Sequence, residues 1–546
     1  MSCRDPIIAA TTILAILPLA GLQVRADESP AQIDEAKLEA DEVVIGKIVF
    51  EKQDVFDLEN PKENNALYRL LNQLHIVTKD TTIEKQLLLK SGDRYSRRLS
   101  AESERILRAN SYFYDVSITP KNRHDGTVDL HVNTRDVWTL QPALSISRTG
   151  GDNKTVVKLQ ESNLSGRGQR IFVAWSSDVD RDSTVVSFSD NHLGRDWMSI
   201  SVGFADSSDG NTSLFSLVRP FYALDAKWTA GITAFEEDKR STLYQLGEAV
   251  AEYRQEHRSY SAFGGWSAGL GDGWVRRYRA GFVFNDNQFS NVVDATLPPA
   301  IPDDRELAYP FFGIEILEDR FETASNRDQI EKTEDFLTGT RFTASLGWSD
   351  ENFGADRDAV LYSLRTSRSF GKLAETALLL AAKASGRIEH GGTANALFHI
   401  SARYYQQLSE KRTFFATFSG THGRNLDLDN PVELGGDTGL RGYPSRYQSG
   451  DSKVLLTLEQ RFFTDWYPFR LFRVGGAVFA DLGRSWGDNP LGDEDHGWLG
   501  DVGVGLRFAP TRTGTGRILH LDVAFPLNGD DSIDSVQVLL ESKKSF

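Results

Sequence analysis

The chain has 546 residues, a formal net charge of −16, 40% hydrophobic residues and 25% charged residues. The acidic balance leaves no basic footprint for nucleic acid, and the length allows one large domain with a small one, or three ordinary domains. Aromatic residues make up 11%, with 46 Gly against 2 Met; this favours strands and turns over helices, since aromatic side chains suit strands and Gly suits turns.

Residues 1–26 are expected to be a signal peptide. Arg4 precedes an apolar stretch from Ile7 to Leu22, and Val24-Arg25-Ala26 supplies the small residues of a cleavage site. The one cysteine, Cys3, precedes that stretch, so the mature chain is expected to have no disulfide and no thiolate metal site. Beyond residue 26 no apolar run approaches the roughly 18 residues a spanning helix requires. A membrane protein without such a helix must be a closed barrel, so the choice lies between a barrel and a soluble periplasmic protein.

Residues 27–42 form an acidic, Ala-rich linker, and residues 43–135 have a mixed α/β pattern. Val43 to Phe50 alternates like a strand. Asn60-Pro61 is a suitable helix start, followed by Leu67, Leu70, Leu71 and Leu74 at helical spacing. A second helix is predicted from Thr82 to Leu89. A third starts at Ser100, with Glu102 and Glu104 favourable near the positive end of its dipole. Strands at Tyr112 to Thr119 and Thr127 to Asn133 follow, joined by a turn.

From residue 136 to 546, segments of roughly ten alternating residues are separated by short Gly/Asp/Asn/Ser turns. Met198, Ile200, Val202 and Phe204 oppose Ser199, Ser201 and Gly203. Val454, Leu456, Leu458 and Phe462 oppose Thr457, Glu459 and Arg461. Leu519, Leu521, Val523 and Phe525 oppose His520, Asp522 and Ala524. Period two with charge on one face suits a wet lumen and a lipid-facing exterior, and the lack of a fixed-length repeat argues against a propeller. The alternation alone suggests about twenty strands.

Two chemical motifs are weak. Gly265-Trp266-Ser267-Ala268-Gly269 matches the pattern of a nucleophile elbow but lies in an alternating β segment, with no following helix. Asp178, Asp180 and Asp182 resemble the start of a calcium loop, but Ser183 and Ser189 occupy the places of its Gly and terminal Glu. No H-E-x-x-H pattern occurs. The expectation is a protein that is not an enzyme, with no catalytic residue, no cofactor and no metal.

The most specific stretch is Gly435-Gly436-Asp437-Thr438-Gly439-Leu440-Arg441-Gly442-Tyr443, followed by the strand-like run from Ser452 to Phe463 and by Val478-Phe479-Ala480-Asp481-Leu482-Gly483. This resembles the C-terminal barrel of the BamA/TamA superfamily, the bacterial surface antigen family. The resemblance implies that Leu440, Arg441, Gly442 and Tyr443 form the tip of a lumenal loop and that Glu459 and Asp481 are its inner-wall partners. By phase alone, both carboxylates also fall on the face opposite the apolar residues of their strands. Leu87 to Tyr95 and Ile106 to Val116 resemble a single POTRA domain of the same superfamily, with Ser111 in place of the usual Gly and residues 60–74 as an insertion. Phe546 resembles a barrel C-terminal assembly signal.

The resemblance implies a transmembrane antiparallel barrel preceded by one small α/β domain, and its usual 16 strands are taken as the expectation over the higher count. It further implies an outer-membrane assembly or translocation factor with its POTRA-like domain in the periplasm. The expected partners are outer-membrane lipid, unfolded outer-membrane or secreted polypeptides, and periplasmic accessory proteins or chaperones. A dedicated two-partner-type secretion pore is the alternative, and a lipolytic barrel using Ser267 a more distant one.

Overall fold

The computed structural model describes residues 34–122, 125–194, 196–488, 497–514, 516–530 and 533–546. The expected signal peptide lies outside the described residues. Within the expected linker, Glu35–Ala40 is a short helix: the Asp34 carboxylate caps it by accepting the N–H of Ala36 and of Lys37, and Leu38 is buried.

The N-terminal unit is a three-stranded mixed sheet with helices packed on it. Val128–Asp136 lies in the centre, parallel to Ile45–Gln53 and antiparallel to Phe113–Asn122. Its apolar residues alternate, so Val128, Leu130 and Val132 all enter one core with Ile45, Ile83, Leu107 and Phe113. The helix Arg97–Arg108 starts earlier than expected, because Ser96 and not Ser100 caps it. The Leu-rich helix starts later, at Ala66. There Asn65 accepts the N–H of Tyr68 at 2.9 Å, while the Asn60-Pro61 segment is held in turns by Glu63, which accepts the N–H of Asp57 at 3.0 Å.

The rest of the chain is a closed antiparallel barrel of 20 strands, from Leu140–Thr149 to Gln537–Lys543. This corrects the expectation of 16. Some of its turns are short, with only 246–247 and 272–273 between successive strands. The alternating pattern reports the strands of this chain directly, whereas a number carried over from relatives does not. Three neighbouring strands, Trp228–Gln245, Glu248–Gly271 and Trp274–Ser290, are much longer than the ten residues expected, at 18, 24 and 17 residues.

Outward positions such as Leu144, Trp175, Phe204, Phe312, Val478 and Val504 are exposed apolar side chains spread around the barrel. That is far more apolar surface than a water-soluble exterior normally carries. Inward positions include buried Arg277, Glu315, Arg461, Asp481 and Asp522.

Every neighbouring pair of strands is joined by an extended ladder except one. At the seam between the last strand and the first, Leu540 and Arg148 are the paired residues among those described. The near rim of the barrel is covered by the N-terminal unit. Lys79 N–H donates to the Gly166 carbonyl at 3.0 Å, Leu224 N–H to Glu102 Oε1 at 2.7 Å, Arg108 to both carboxylate oxygens of Asp335 at 2.9 and 2.8 Å, and Arg512 pairs with Glu63 at 2.6 Å.

Because the N-terminal unit has its own core, Leu107→Ala should destabilise it by about 2–5 kcal/mol, the usual cost of emptying a filled apolar site. Urea titration followed by proteolysis should show this unit becoming cleavable at lower urea, with the barrel's resistance unchanged.

Candidate functional site: an arginine-tipped loop inside the barrel

Between the strands Arg412–Arg424 and Ser452–Phe463 the chain makes a long excursion, residues 425–451. Its base is a two-stranded hairpin of Val432–Leu434 with Gln448–Gly450. Gly439 sits at φ +115°, a conformation that side chains disfavour, and lets the chain reverse just before Leu440. Leu440 and Tyr443 are buried with Leu434, Tyr447 and Leu499, so the loop carries its own small core. A side chain at Gly442 would place its Cβ 2.6 Å from that of Asp501, so glycine is required for the tip to lie against the wall.

The structure brings Arg441, Glu459 and Asp481 together. Arg441 Nε donates to Asp481 Oδ2 at 2.7 Å, Nη2 to Asp481 Oδ1 at 3.0 Å, and Nη1 to Glu459 Oε1 at 2.9 Å. The fork on Asp481 is the bidentate geometry that makes arginine–carboxylate pairs strong. The guanidinium also lies over the Phe479 ring, 3.4 Å from its centroid. All three charged side chains are buried.

Sequence reasoning named only part of this cluster. Asp522 lies 3.7 Å from Arg441 and also pairs with Arg507; Asp501 accepts the N–H of Gly442 at 2.8 Å; and Thr457 Oγ1 donates to Asp481 at 2.7 Å. Arg461 donates to Glu459 Oε2 at 2.9 Å and covers the Phe415 ring. Among the described residues, three guanidiniums and four carboxylates therefore meet on the inner wall. The signal was present in the alternation, since Asp522 and Arg461 stand on inward phases, but which inward charges converge depends on the register between strands.

The same loop also reaches the other side of the seam. Ser445 N–H donates to the Gly150 carbonyl and its Oγ to the Thr149 carbonyl, both at 3.0 Å. Arg446 makes a fork onto Asp180 at 3.1 and 2.8 Å and stacks over Tyr244. Asp180, one of the three aspartates resembling a calcium loop, is thus a loop anchor, while Asp178 pairs with Lys154 at 2.6 Å. Ser267 is buried within a long strand; its Oγ donates to the Arg276 carbonyl at 2.8 Å and accepts the N–H of Gly269 at 3.0 Å.

A second insertion enters from the near rim and was not anticipated. Residues 319–340 join the strands Arg305–Glu318 and Arg341–Ser349 and contain the small hairpin Phe321–Ala324 with Glu334–Leu337. At its tip Arg327 is buried, donating to the Leu373 carbonyl at 2.6 Å and to Gln407 Oε1 at 2.8 Å. Ile330 packs with Phe463, Ala509, Ile518 and Phe546. The C-terminal residue Phe546 is drawn inward: its N–H donates to the Asp328 carbonyl at 2.8 Å, which takes it out of the phase of exposed Val536 and Val538. Arg461 Nη1 donates to the Arg327 carbonyl at 2.7 Å, so the polar chain Asp481–Arg441–Glu459–Arg461–Arg327 joins the two insertions.

No family model matches the chain. Among solved structures it is similar to BamA from Haemophilus ducreyi lacking POTRA domains 1–3, with 12% identity over 92% of this chain and 84% of that chain at a TM-score of 0.37. It is also similar to CdiB from Acinetobacter baumannii, with 12% identity over 92% and 73% at 0.46, and to CdiB from Escherichia coli, with 13% identity over 91% and 76% at 0.46.

Removing the Arg441 guanidinium leaves buried Asp481 without its cation and Glu459 with one of its two. Arg441→Ala should therefore cost about 3–5 kcal/mol and lower the denaturant midpoint of the barrel. Adding Asp481→Asn should recover part of the loss; an unchanged midpoint in the single variant would show that the cluster holds nothing.

The near-rim hairpin should respond to pH. Burial, and then Asp328, push the Glu334 carboxyl up to about 7. A pKa raised by folding contributes stability that is fully present below the unfolded value of 4.5 and lost as pH rises through 7. Protection factors for residues 325–335 should fall between those limits and stay flat in Glu334→Gln; an identical fall in that variant would assign the effect elsewhere.

Proposed function

We propose that this chain is an outer-membrane β-barrel that assembles or translocates unfolded polypeptides, with its POTRA-like N-terminal domain in the periplasm. The observation that carries this reading is the loop tip Leu440–Tyr443, tied through Arg441 to Glu459 and Asp481 on one side of the seam and through Ser445 to the first hairpin on the other. Its motif is the one that resembles the BamA/TamA superfamily. The apolar exterior, with charges turned inward, supports a barrel sitting in lipid.

The mechanism follows from backbone chemistry. Strand edges in hydrocarbon are costly, because unpaired N–H and C=O groups find no water there. A seam held by one residue pair is the place where the ladder opens with the fewest hydrogen bonds lost. An incoming client strand satisfies the freed groups of Leu140–Thr149 by β-augmentation. The edge strands of the N-terminal sheet, Ile45–Gln53 and Phe113–Asn122, offer the same mode of capture before the client reaches the barrel. The loop and its arginine hold the seam's two sides in register until then.

A dedicated secretion pore is the second reading, favoured by girth. Barrel diameter grows with strand number, so 20 strands enclose a lumen wide enough for an extended chain once the loop and the near-rim hairpin withdraw.

Reconstitution into liposomes separates the two. An assembly factor should speed the folding of an unfolded outer-membrane protein several-fold over empty liposomes, with most of the acceleration lost in Arg441→Ala. No acceleration from an intact barrel would reject the assembly reading in favour of the dedicated pore.

A further inference from the structure

The helix Ala66–Leu74 presents an unusual surface. One side is fixed to its own domain and to the barrel: Tyr68 stacks on Phe56 with ring centroids 4.1 Å apart, Asn72 exchanges hydrogen bonds with the Phe56 backbone, and the Tyr68 hydroxyl donates to the Phe469 carbonyl. Leu71 joins the same cluster with Leu471. The next face, 100° per residue around the axis, holds Leu67, Leu70 and Leu74, which are 59%, 50% and 62% exposed. Arg69 lies about 130° round the axis from the middle of that stripe and Gln73 at its edge, next to Leu70; both are exposed. Three leucines in solvent on a helix docked by its other side are not explained by the domain core.

The neighbouring turn has the same character. Residues 464–471 join the strands Ser452–Phe463 and Phe472–Trp486, whose outward Phe462 and Phe472 are exposed apolar side chains. In this turn Trp466 is 57% and Phe469 79% exposed. Phe469 and Arg470 have φ of +53° and +54°, so two consecutive non-glycine residues adopt a disfavoured conformation there. The helix that carries the exposed leucines is thus joined to the turn that carries these exposed aromatic side chains, by the Tyr68–Phe469 hydrogen bond and the Leu71–Leu471 contact, at the rim where the N-terminal unit sits.

We propose that Ala66–Leu74 is an interfacial helix whose leucine stripe, with Trp466 and Phe469, lies in the phospholipid leaflet bordering the near rim. The inference rests on the outer-membrane reading and deepens it by fixing the N-terminal domain to the lipid surface. The chemistry is that of amphipathic helices lying in the membrane plane, with apolar residues among acyl chains and polar ones in water. Trp466 and Phe469 stand where aromatic side chains mark the boundary between hydrocarbon and headgroups. The consequence is mechanical: a domain pinned to both rim and membrane holds its strand edges at a set height below the seam.

The test uses the full chain with Cys3→Ser, folded into phosphatidylethanolamine–phosphatidylglycerol vesicles. Nitroxides are attached singly at Leu67→Cys, Leu70→Cys, Leu74→Cys, Arg69→Cys and Gln73→Cys, all exposed positions, and at Val478→Cys on the barrel exterior. Collision with oxygen, which concentrates in acyl chains, is compared with collision with a water-soluble nickel chelate. The expected result is an oxygen-to-chelate ratio at 67, 70 and 74 close to that at 478 and several-fold above that at 69, with 73 between the two. High chelate access at 67, 70 and 74, with 478 in lipid, would overturn the interfacial helix alone. Protection of those three sites from both reagents would also overturn it, in favour of a protein partner. Chelate access at 478 as well would remove the membrane reading and this inference together.

Discussion

A guanidinium taken out of water must be matched by acceptors, and the interior of this barrel is organised around meeting that demand for Arg441. Its donors are placed on two carboxylates from neighbouring strands, and its face rests on an aromatic ring. Desolvating such a group is expensive, so the loop tip has few positions where it can rest. Glu459 is shared with Arg461, and Asp522 with Arg507, which neutralises carboxylates that would otherwise repel one another. The position of the loop tip against the inner wall rests on this pairing together with the Gly442–Asp501 bond and the buried Leu440 and Tyr443.

The second constraint is girth. Twenty strands enclose more space than side chains from the wall can fill, and the chain supplies two insertions from opposite rims. They meet where Arg461 bonds both Glu459 and the Arg327 carbonyl. The near-rim hairpin in turn receives the C-terminal residue on one side and the N-terminal domain on another, through Asp335 and Arg108. Events at the N-terminal domain, the chain terminus and the lumenal loop are therefore connected by polar contacts that can be named one by one, with the weakly paired seam lying between the last two.

Much of this was legible in the sequence. Alternation suggested about twenty strands, because a period of two survives wherever one face meets apolar surroundings and the other does not, but the 16 implied by the resemblance displaced that count and the barrel has 20. The resemblance carried by Leu440–Tyr443 implied Glu459 and Asp481 as partners of Arg441, and phase alone put both carboxylates on the inward face of their strands; Arg441 hydrogen-bonds to both. What stayed hidden depends on long-range geometry. Asp501, Asp522 and Arg507 look like any inward charges until inter-strand register puts them beside the loop. Residues 319–340 carry too short an alternation to stand out from a turn region. The start of the Leu-rich helix shifted from Asn60 to Ala66 because Arg512, more than four hundred residues away, pairs with Glu63 in the turns that precede it. Phe546 has the residue type expected of a strand end, but its backbone bond to Asp328 turns it inward.

In the proposed mechanism the arginine-tipped loop braces the barrel where its ladder is weakest. Hydrogen exchange of the seam strands, Leu140–Thr149 and Gln537–Lys543, compared between the unaltered chain and Arg441→Ala in the same lipid, tests it most directly. Both strands should lose protection together while the ladder between Trp228–Gln245 and Glu248–Gly271 does not change. Seam protection equal in the two proteins, with the loop shown to have undocked, would contradict it.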